Sequence, residues 1–123
     1  MPRPRKRRRV CRLPDNDGFF PVRGGEQLEP VVLSVDEYET IRLIDWEGLS
    51  QEQCGEYMCI ARTTAQLIYT AARKKLSEAL VYGKPIRICG GDYQLCDGNE
   101  NYCGRRGCHR HRHGQLNSQG GKQ

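Results

Sequence analysis

The chain has no apolar run long enough to cross a bilayer, so we do not expect it to span a membrane. No apolar segment follows the basic N-terminus after Arg9 either, so we expect no secretory signal and a reducing, cytoplasmic location. Only 37% of the residues are apolar and 14 are glycine, which indicates that only part of the chain builds a core. The seven cysteines are then more typical of thiols or metal ligands than of a disulfide framework.

The usual signatures of an enzyme are also missing. The glycine pairs at 24–25 and at 90–91 are not followed by the Lys-Ser/Thr of a phosphate-binding loop. The carboxylates of Asp36, Glu37 and Glu39 stand at a predicted helix start, where the helix dipole favours them, and do not form a convincing acid/base pair. The three histidines lie where no pattern predicts a rigid scaffold for a Cys–His nucleophile. We therefore expect no catalytic activity.

Charges of the two signs occupy different parts of the sequence. Residues 1–12 carry seven cations and no acid, residues 13–60 carry eleven acids against two bases, and residues 61–88 carry six bases against one acid. A uniformly solvated surface would not usually separate charge so sharply, whereas a face that binds a polyanion would.

Two capping boxes predict the starts of the first two helices. Ser34 is followed three residues later by Glu37, and Ser50 by Gln53, each just before an apolar pattern. A third helix carries an apolar stripe that ends with Leu80, and Gly83 and Pro85 terminate it. The predicted helices span about 35–46, 51–57 and 62–82.

Residues 51–70 fit a helix-turn-helix template. Gly55 fills the position of closest helix approach, and Cys59 occupies the turn, where glycine is usual because it tolerates a positive φ. Five residues fill the apolar positions: Cys54, Met58, Ile60, Ala65 and Ile68. The first exposed residues of the third helix, which would enter the major groove, are Arg62, Thr63, Gln66, Leu67 and Thr70. Arg73, Lys74 and Lys75 follow two to three turns later, where we expect phosphate contacts.

Four stretches resemble a prokaryotic family of small proteins of unknown function whose helix-turn-helix is similar to region four of bacterial sigma factors. They are PRPRKRRRVC (2–11), VDEYETIRLIDWEGLSQEQCGEYM (35–58), ARTTAQLIYTAARKKLSEAL (61–80) and GGDYQLC (90–96). The resemblance implies DNA binding in transcriptional control, with Arg62, Thr63, Thr64 and Gln66 on the recognition helix. Relatives typically have Gly in place of Cys59 and Ser in place of Ala61.

The two ends of the chain suggest further contacts. The basic arm resembles arms that enter a minor groove or follow phosphates, and its relevant cations are Arg3, Arg5, Lys6, Arg7, Arg8 and Arg9. Thiolates and imidazoles in the tail suit zinc, and the cysteines alone suit an iron–sulfur cluster, although no pair has the tight two-residue spacing of a zinc knuckle. These candidate ligands are Cys89, Cys96, Cys103, Cys108, His109, His111 and His113.

The sequence thus predicts an all-α protein built around a three-helix helix-turn-helix domain. Its predicted parts are a disordered basic arm (1–12), a loop (13–30), the domain (31–83), a small β-hairpin (84–96) and a flexible tail (97–123). The predicted function is sequence-specific binding of double-stranded DNA, associated with the nucleoid. A homodimer remains open because a three-helix core is small. The alternatives are a metal or redox sensor that acts through the tail, and a nonspecific RNA- or DNA-binding protein that acts through the arm.

Overall fold

A computed structural model describes residues 8–24 and 28–95, and it contains three helices and five short strands. The helices are α1 (Val35–Thr40), which continues as a π-helical segment (Ile41–Trp46), α2 (Gln51–Met58) and α3 (Arg62–Tyr82). The strands are β1 (Arg8–Val10), β2 (Gly18–Phe19), β3 (Val31–Leu33), β4 (Ile86–Ile88) and β5 (Tyr93–Leu95). The fold is therefore mixed α/β, and the all-α prediction was wrong.

The strands form two small sheets. In the first, β1 pairs in parallel with β5. In the second, the strand order is β2-β4-β3, with β2 antiparallel and β3 parallel to β4. All three helices thus lie in the connection between the parallel neighbours β3 and β4. The predicted hairpin contains both β4 and β5, but each of these strands pairs with a segment far along the chain, so local sequence patterns could not reveal the pairing.

Three predicted segments change as a result. The predicted disordered arm (1–12) includes strand β1, and its Val10 and Cys11 are buried. The predicted loop (13–30) includes β2. The predicted hairpin (84–96) does not form, because β4 and β5 pair with different sheets and not with each other. Residues 1–7 and the predicted tail (97–123) lie outside the described residues.

The three predicted helices and both capping boxes were confirmed, with the difference that the second half of the first helix is π-helical (Ile41–Trp46). Ser34 Oγ accepts from the Glu37 amide at 3.2 Å while Glu37 Oε1 accepts from the Ser34 amide at 2.9 Å. The same reciprocal pair joins Ser50 and Gln53 at the start of α2. These bonds satisfy backbone donors that a helix start leaves without intrahelical partners, so each helix begins at a defined residue.

Among the described residues, two apolar clusters hold the helices in place. One joins the π-helical segment, α2 and the start of α3 through Leu43, Leu49, Cys54, Met58 and Ala65. The other packs the middle of α3 and the side chains of α1 on the β3–β4 sheet through Leu33, Ala72 and Ile88. Helix α3 contributes to both clusters and so connects the helix pair to the sheet. No helix among the described residues is long and apolar enough to cross a membrane.

Candidate nucleic-acid interface

Helices α2 and α3 are joined by a tight turn at Cys59. The residue adopts the left-handed conformation, with φ 61° and ψ 43°, which an L-residue with a Cβ adopts only at some energetic cost. The Ile60 amide donates to the Gly55 carbonyl at 2.9 Å and closes the turn. A Cβ added at Gly55 would lie 2.7 Å from the Ile60 carbonyl oxygen, so only glycine fits there without movement of the turn. The turn thereby fixes α3 against α2.

The inner face of α3 consists mainly of small residues. Ala65, Ala72 and Ala79 are buried, and small side chains let the helix approach its neighbours closely. The prediction that Leu80 ends the buried apolar stripe of this helix was wrong. Leu80 is 86% exposed, because the adjacent Ala79 takes the inward position. The apolar end of α3 is therefore on the surface.

The outer face of α3 carries the residues predicted to contact DNA. Arg62, Gln66 and Leu67 are exposed over the first two turns, and Leu67 is 72% exposed. Thr64 is only half-buried and flanks this face. The other exposed predicted residues are Thr63, Thr70, Arg73 and Lys74. The structure thus brings eight of the nine predicted residues of this helix, all except Lys75, onto or beside one exposed surface.

The start of α3 has no side-chain cap. Ala61 is the N-cap residue, with extended backbone angles, and it makes no capping bond. Serine, threonine, asparagine or aspartate at this position would accept from the first amides of the helix. The first amides of α3 therefore lack such an acceptor and carry the positive end of the helix dipole.

A polar network, which the sequence did not predict, joins the π-helical segment to the flank of α3. The Tyr69 hydroxyl donates to Asp45 Oδ1 at 2.7 Å, and Arg73 Nη1 donates to the Tyr69 oxygen at 2.8 Å. Partial burial and the bond to Asp45 raise the pKa of Tyr69. The bond to Tyr69 and the charge of Asp45 raise the pKa of Arg73. In the sequence, the only signal of this network is the four-residue spacing of Tyr69 and Arg73, which places them side by side on a helix.

Some of the charges that are separated along the sequence pair with each other inside the fold. Lys75 Nζ lies 2.8 Å from Glu37 Oε1, so this cation of α3, which the sequence predicted to contact phosphate, is paired with α1 instead. Arg42 bonds both carboxylate oxygens of Glu39, at 3.0 and 2.8 Å, and also pairs with Glu47. Burial alone would lower the pKa of Arg42, but its bonds to Glu39 and the nearby carboxylate charges raise it. Many acids of the 13–60 segment therefore act inside the fold.

Strand β1 ties the root of the basic arm to the helices. Arg8 pairs with Asp36 at 3.3 Å, and Arg9 Nε donates to the Tyr57 carbonyl at 2.9 Å near the end of α2. Arg9 is also buried. Both residues, which the sequence predicted to contact DNA, thus bind other parts of the fold instead. The other four cations predicted in the arm, Arg3, Arg5, Lys6 and Arg7, lie outside the described residues.

Only one of the predicted metal ligands is described. Cys89 is exposed and follows β4, whereas Cys96, Cys103, Cys108, His109, His111 and His113 lie outside the described residues. Within the described part of the chain, no group of three potential ligands could hold a metal ion. Cys54 packs in the core against Met58, and burial raises the pKa of its thiol to about 12.

Comparison with known proteins identifies the family. Residues 1–96 match the family model described as "Protein of unknown function DUF134", and the chain belongs to this family. A UPF0251 protein of Desulfitobacterium hafniense is 55% identical over 114 residues, which cover 91% of this chain and 90% of the relative. A UPF0251 protein of Thermoanaerobacter pseudethanolicus is 48% identical over 116 residues, covering 94% and 96%. No solved structure matches this chain. The family predicted from the sequence was thus confirmed as a prokaryotic family of unknown function.

Proposed function

We propose that the protein binds double-stranded DNA in a sequence-specific manner, with α2, the turn and α3 acting as a helix-turn-helix. The observation that carries the proposal is the exposed N-terminal half of α3, which presents Arg62 and Gln66 and contains no acid before Glu78. A bare helix start without a cap adds the positive end of its dipole to this surface. Regulation of transcription is the role that the resemblance to sigma-factor region four suggests.

The proposed contacts follow from side-chain chemistry. Arg62 can donate two hydrogen bonds to a guanine, and Gln66 can pair with an adenine. Leu67 and Thr70 offer apolar atoms to thymine methyl groups. Because Arg62 and Gln66 are four residues apart on one helix, their side chains project from neighbouring positions toward the same groove edge. Two adjacent base pairs would then be selected by α3.

Phosphate contacts would flank this surface. Arg73 is held by Tyr69 and Asp45, so its guanidinium is already ordered before a phosphate arrives. Lys74 is exposed one position further along α3. The part of the arm that precedes β1 adds four cations, Arg3, Arg5, Lys6 and Arg7, which we propose follow phosphates or a minor groove. Arg8 and Arg9 anchor the arm and are not part of the proposed DNA surface.

Selection of bound duplexes from a random pool tests the proposal. We expect an enriched motif, and we expect a matched duplex to compete for the protein far better than a scrambled duplex of the same length. Equal competition by scrambled duplex or by RNA would contradict sequence-specific binding and support the nonspecific alternative. Metal analysis of the same protein tests the sensor alternative: stoichiometric zinc or iron, together with DNA affinity that depends on it, would support a sensor.

A further inference from the structure

A small cavity lies between α1, the π-helical segment and the loop that follows β1. Its volume is about 350 Å³, at the lower end of the range for small-molecule sites, which suits a molecule of the size of an amino acid. The apolar lining comes from Leu13, Tyr38, Ile41 and Trp46, and an ion pair joins Arg12 to Asp15. We propose that this cavity binds a free aromatic α-amino acid, whose carboxylate pairs with Arg12, whose ammonium pairs with Asp15 and whose ring packs on Trp46.

The π-helical segment places Trp46 at the cavity. The Glu47 amide donates to the Arg42 carbonyl at 2.9 Å, a bond that spans five residues instead of the four of an α-helix. Ile41 and Trp46 are also five residues apart, and both line the cavity. In an α-helix they would point about 140° apart, because successive residues turn by about 100°. The wider turn, a feature that is frequent at functional sites, therefore builds this apolar wall.

Trp46 presents an exposed aromatic face at the cavity. It is 81% exposed, although it belongs to the lining. An indole offers a large flat apolar surface, on which a second aromatic ring packs in an offset or edge-on arrangement, and its π-electrons also attract an ammonium group. A ligand ring seated on Trp46 would remove this surface from water. The cavity therefore favours an aromatic ligand over an aliphatic one of similar size.

Two exposed charges of opposite sign lie at the cavity. Arg12 and Asp15 pair with each other at the surface, where their side chains are 39% and 77% exposed. An exposed ion pair contributes little to stability, so each partner can turn to a ligand at small cost. Arg42 also lines the cavity, but its side chain is largely buried and is held by Glu39 and Glu47. One exposed cation beside one exposed anion matches a zwitterion, because a ligand with a single charge would leave the other partner of the pair without a counter-ion.

Tyr38 adds a neutral polar group close to this pair. Burial raises the pKa of its hydroxyl, and the charges that act on the hydroxyl include those of Asp15 and Arg12. The hydroxyl therefore lies within electrostatic range of both ends of the ion pair. Because it stays protonated at neutral pH, it can donate a hydrogen bond to the carboxylate of a ligand that Arg12 holds.

Fluorescence of Trp46, the single tryptophan of the chain, tests the site directly. The full chain without DNA is titrated with L-phenylalanine, and the emission is excited at a wavelength that phenylalanine and tyrosine do not absorb. We expect a saturable change with a dissociation constant below about 1 mM. Phenylpropionate, phenethylamine and L-leucine lack the ammonium, the carboxylate and the ring, respectively. Each should bind at least about tenfold more weakly than L-phenylalanine.

Two variants separate the charged contacts. Arg12→Gln should weaken binding of L-phenylalanine at least about tenfold but should not weaken binding of phenethylamine, which has no carboxylate. Asp15→Asn should weaken binding of L-phenylalanine to a similar extent but should not weaken binding of phenylpropionate, which has no ammonium. Arg23→Gln is the matched control, because Arg23 is exposed and lies outside the cavity lining, and it should bind L-phenylalanine as the wild type does. Circular dichroism should record folded protein for all three variants.

Three results would overturn the proposal. The first is the absence of a saturable change up to the solubility limit of L-phenylalanine. The second is an unchanged affinity for L-phenylalanine in both Arg12→Gln and Asp15→Asn. The third is calorimetric binding of L-leucine or of a nucleoside monophosphate that is tighter than that of L-phenylalanine, which would assign the cavity to another class of ligand. Because every titration omits DNA, these results do not depend on whether the protein binds a duplex, and selection of duplexes tests that proposal separately.

Discussion

Replacement of Gly55 by alanine tests the contact between α2 and the turn before α3. In an open helix interior, alanine is more favourable than glycine by about 1 kcal/mol. Here the new Cβ would lie 2.7 Å from the Ile60 carbonyl oxygen, where ordinary contacts begin at 3.4 Å. The turn would have to move by several tenths of an ångström, and such overpacking costs about 1–3 kcal/mol. We therefore expect Gly55→Ala to lower the free energy of unfolding by about 1–2 kcal/mol.

Urea denaturation followed by circular dichroism measures this change. The midpoint should fall while the slope stays constant, since the same surface is exposed on unfolding. Glu56→Ala is the matched control: Glu56 is the exposed next residue of α2, and its replacement should stay within about 0.5 kcal/mol of the wild type. If Gly55→Ala instead stabilises the protein, the close approach at the turn is refuted and Gly55 is an ordinary exposed helix position.

The remaining predictions concern the cap of α3, the thiols and the basic arm. Ala61→Ser should raise the free energy of unfolding by about 1 kcal/mol, because the serine hydroxyl would cap α3. Ala71→Ser, on the exposed side of α3, should not raise it, and equal effects of the two changes would refute the cap. At neutral pH a thiol reagent should modify exposed Cys89 well before buried Cys54, as peptide mapping would record; equal rates would contradict the burial of Cys54. Since the unfolded Cys54 thiol titrates near 9.0 and the folded one near 12, its contribution to stability is complete below pH 9 and declines above it. Deletion of residues 1–7 should flatten the dependence of log affinity for duplex DNA on log salt by up to about four units, one per cation; an unchanged slope would remove the arm from the interface.

Local signals were sufficient to predict the helices. The reciprocal bonds of Ser34 with Glu37 and of Ser50 with Gln53 depend on residues three positions apart, so the sequence displays them directly. Gly83 likewise ends α3 in the left-handed conformation expected of a glycine after a helix. Such features are encoded within one or two turns, and the structure confirmed them.

The pairing of the strands and the ordering of the arm involve contacts between distant parts of the chain, which the sequence did not reveal. Arg8 pairs with Tyr93 in the β1–β5 sheet, and no local pattern indicates that the basic arm returns to a strand at the other end of the domain. Composition suggested disorder because six of the residues before Val10 are basic. The cost of ordering that segment is offset by the burial of Val10 and Cys11 and by the bond from the Cys11 amide to Glu39 Oε2 at 3.1 Å.

The sequence predicted which residues of the candidate interface are exposed better than it predicted which of its charges are paired. Helical spacing placed Arg62, Gln66 and Leu67 on an exposed face, as the structure has them. Net charge per segment could not distinguish a cation that faces solvent from Lys75, which pairs with Glu37 across α1 and α3. The net charge of a segment is the same whether its charges pair inside the fold or face a polyanion.

Base selection by Arg62 and Gln66 is the most direct test of the account. Arg62→Ala and Gln66→Ala should each cost about 1–3 kcal/mol on the preferred duplex and relax selection at one base pair. Lys74→Ala should weaken preferred and scrambled duplexes alike. Thermal melting should change little in all three variants, since the replaced side chains are exposed. Equal losses on preferred and scrambled duplexes for Arg62→Ala and Gln66→Ala would contradict the proposal that α3 reads the DNA sequence.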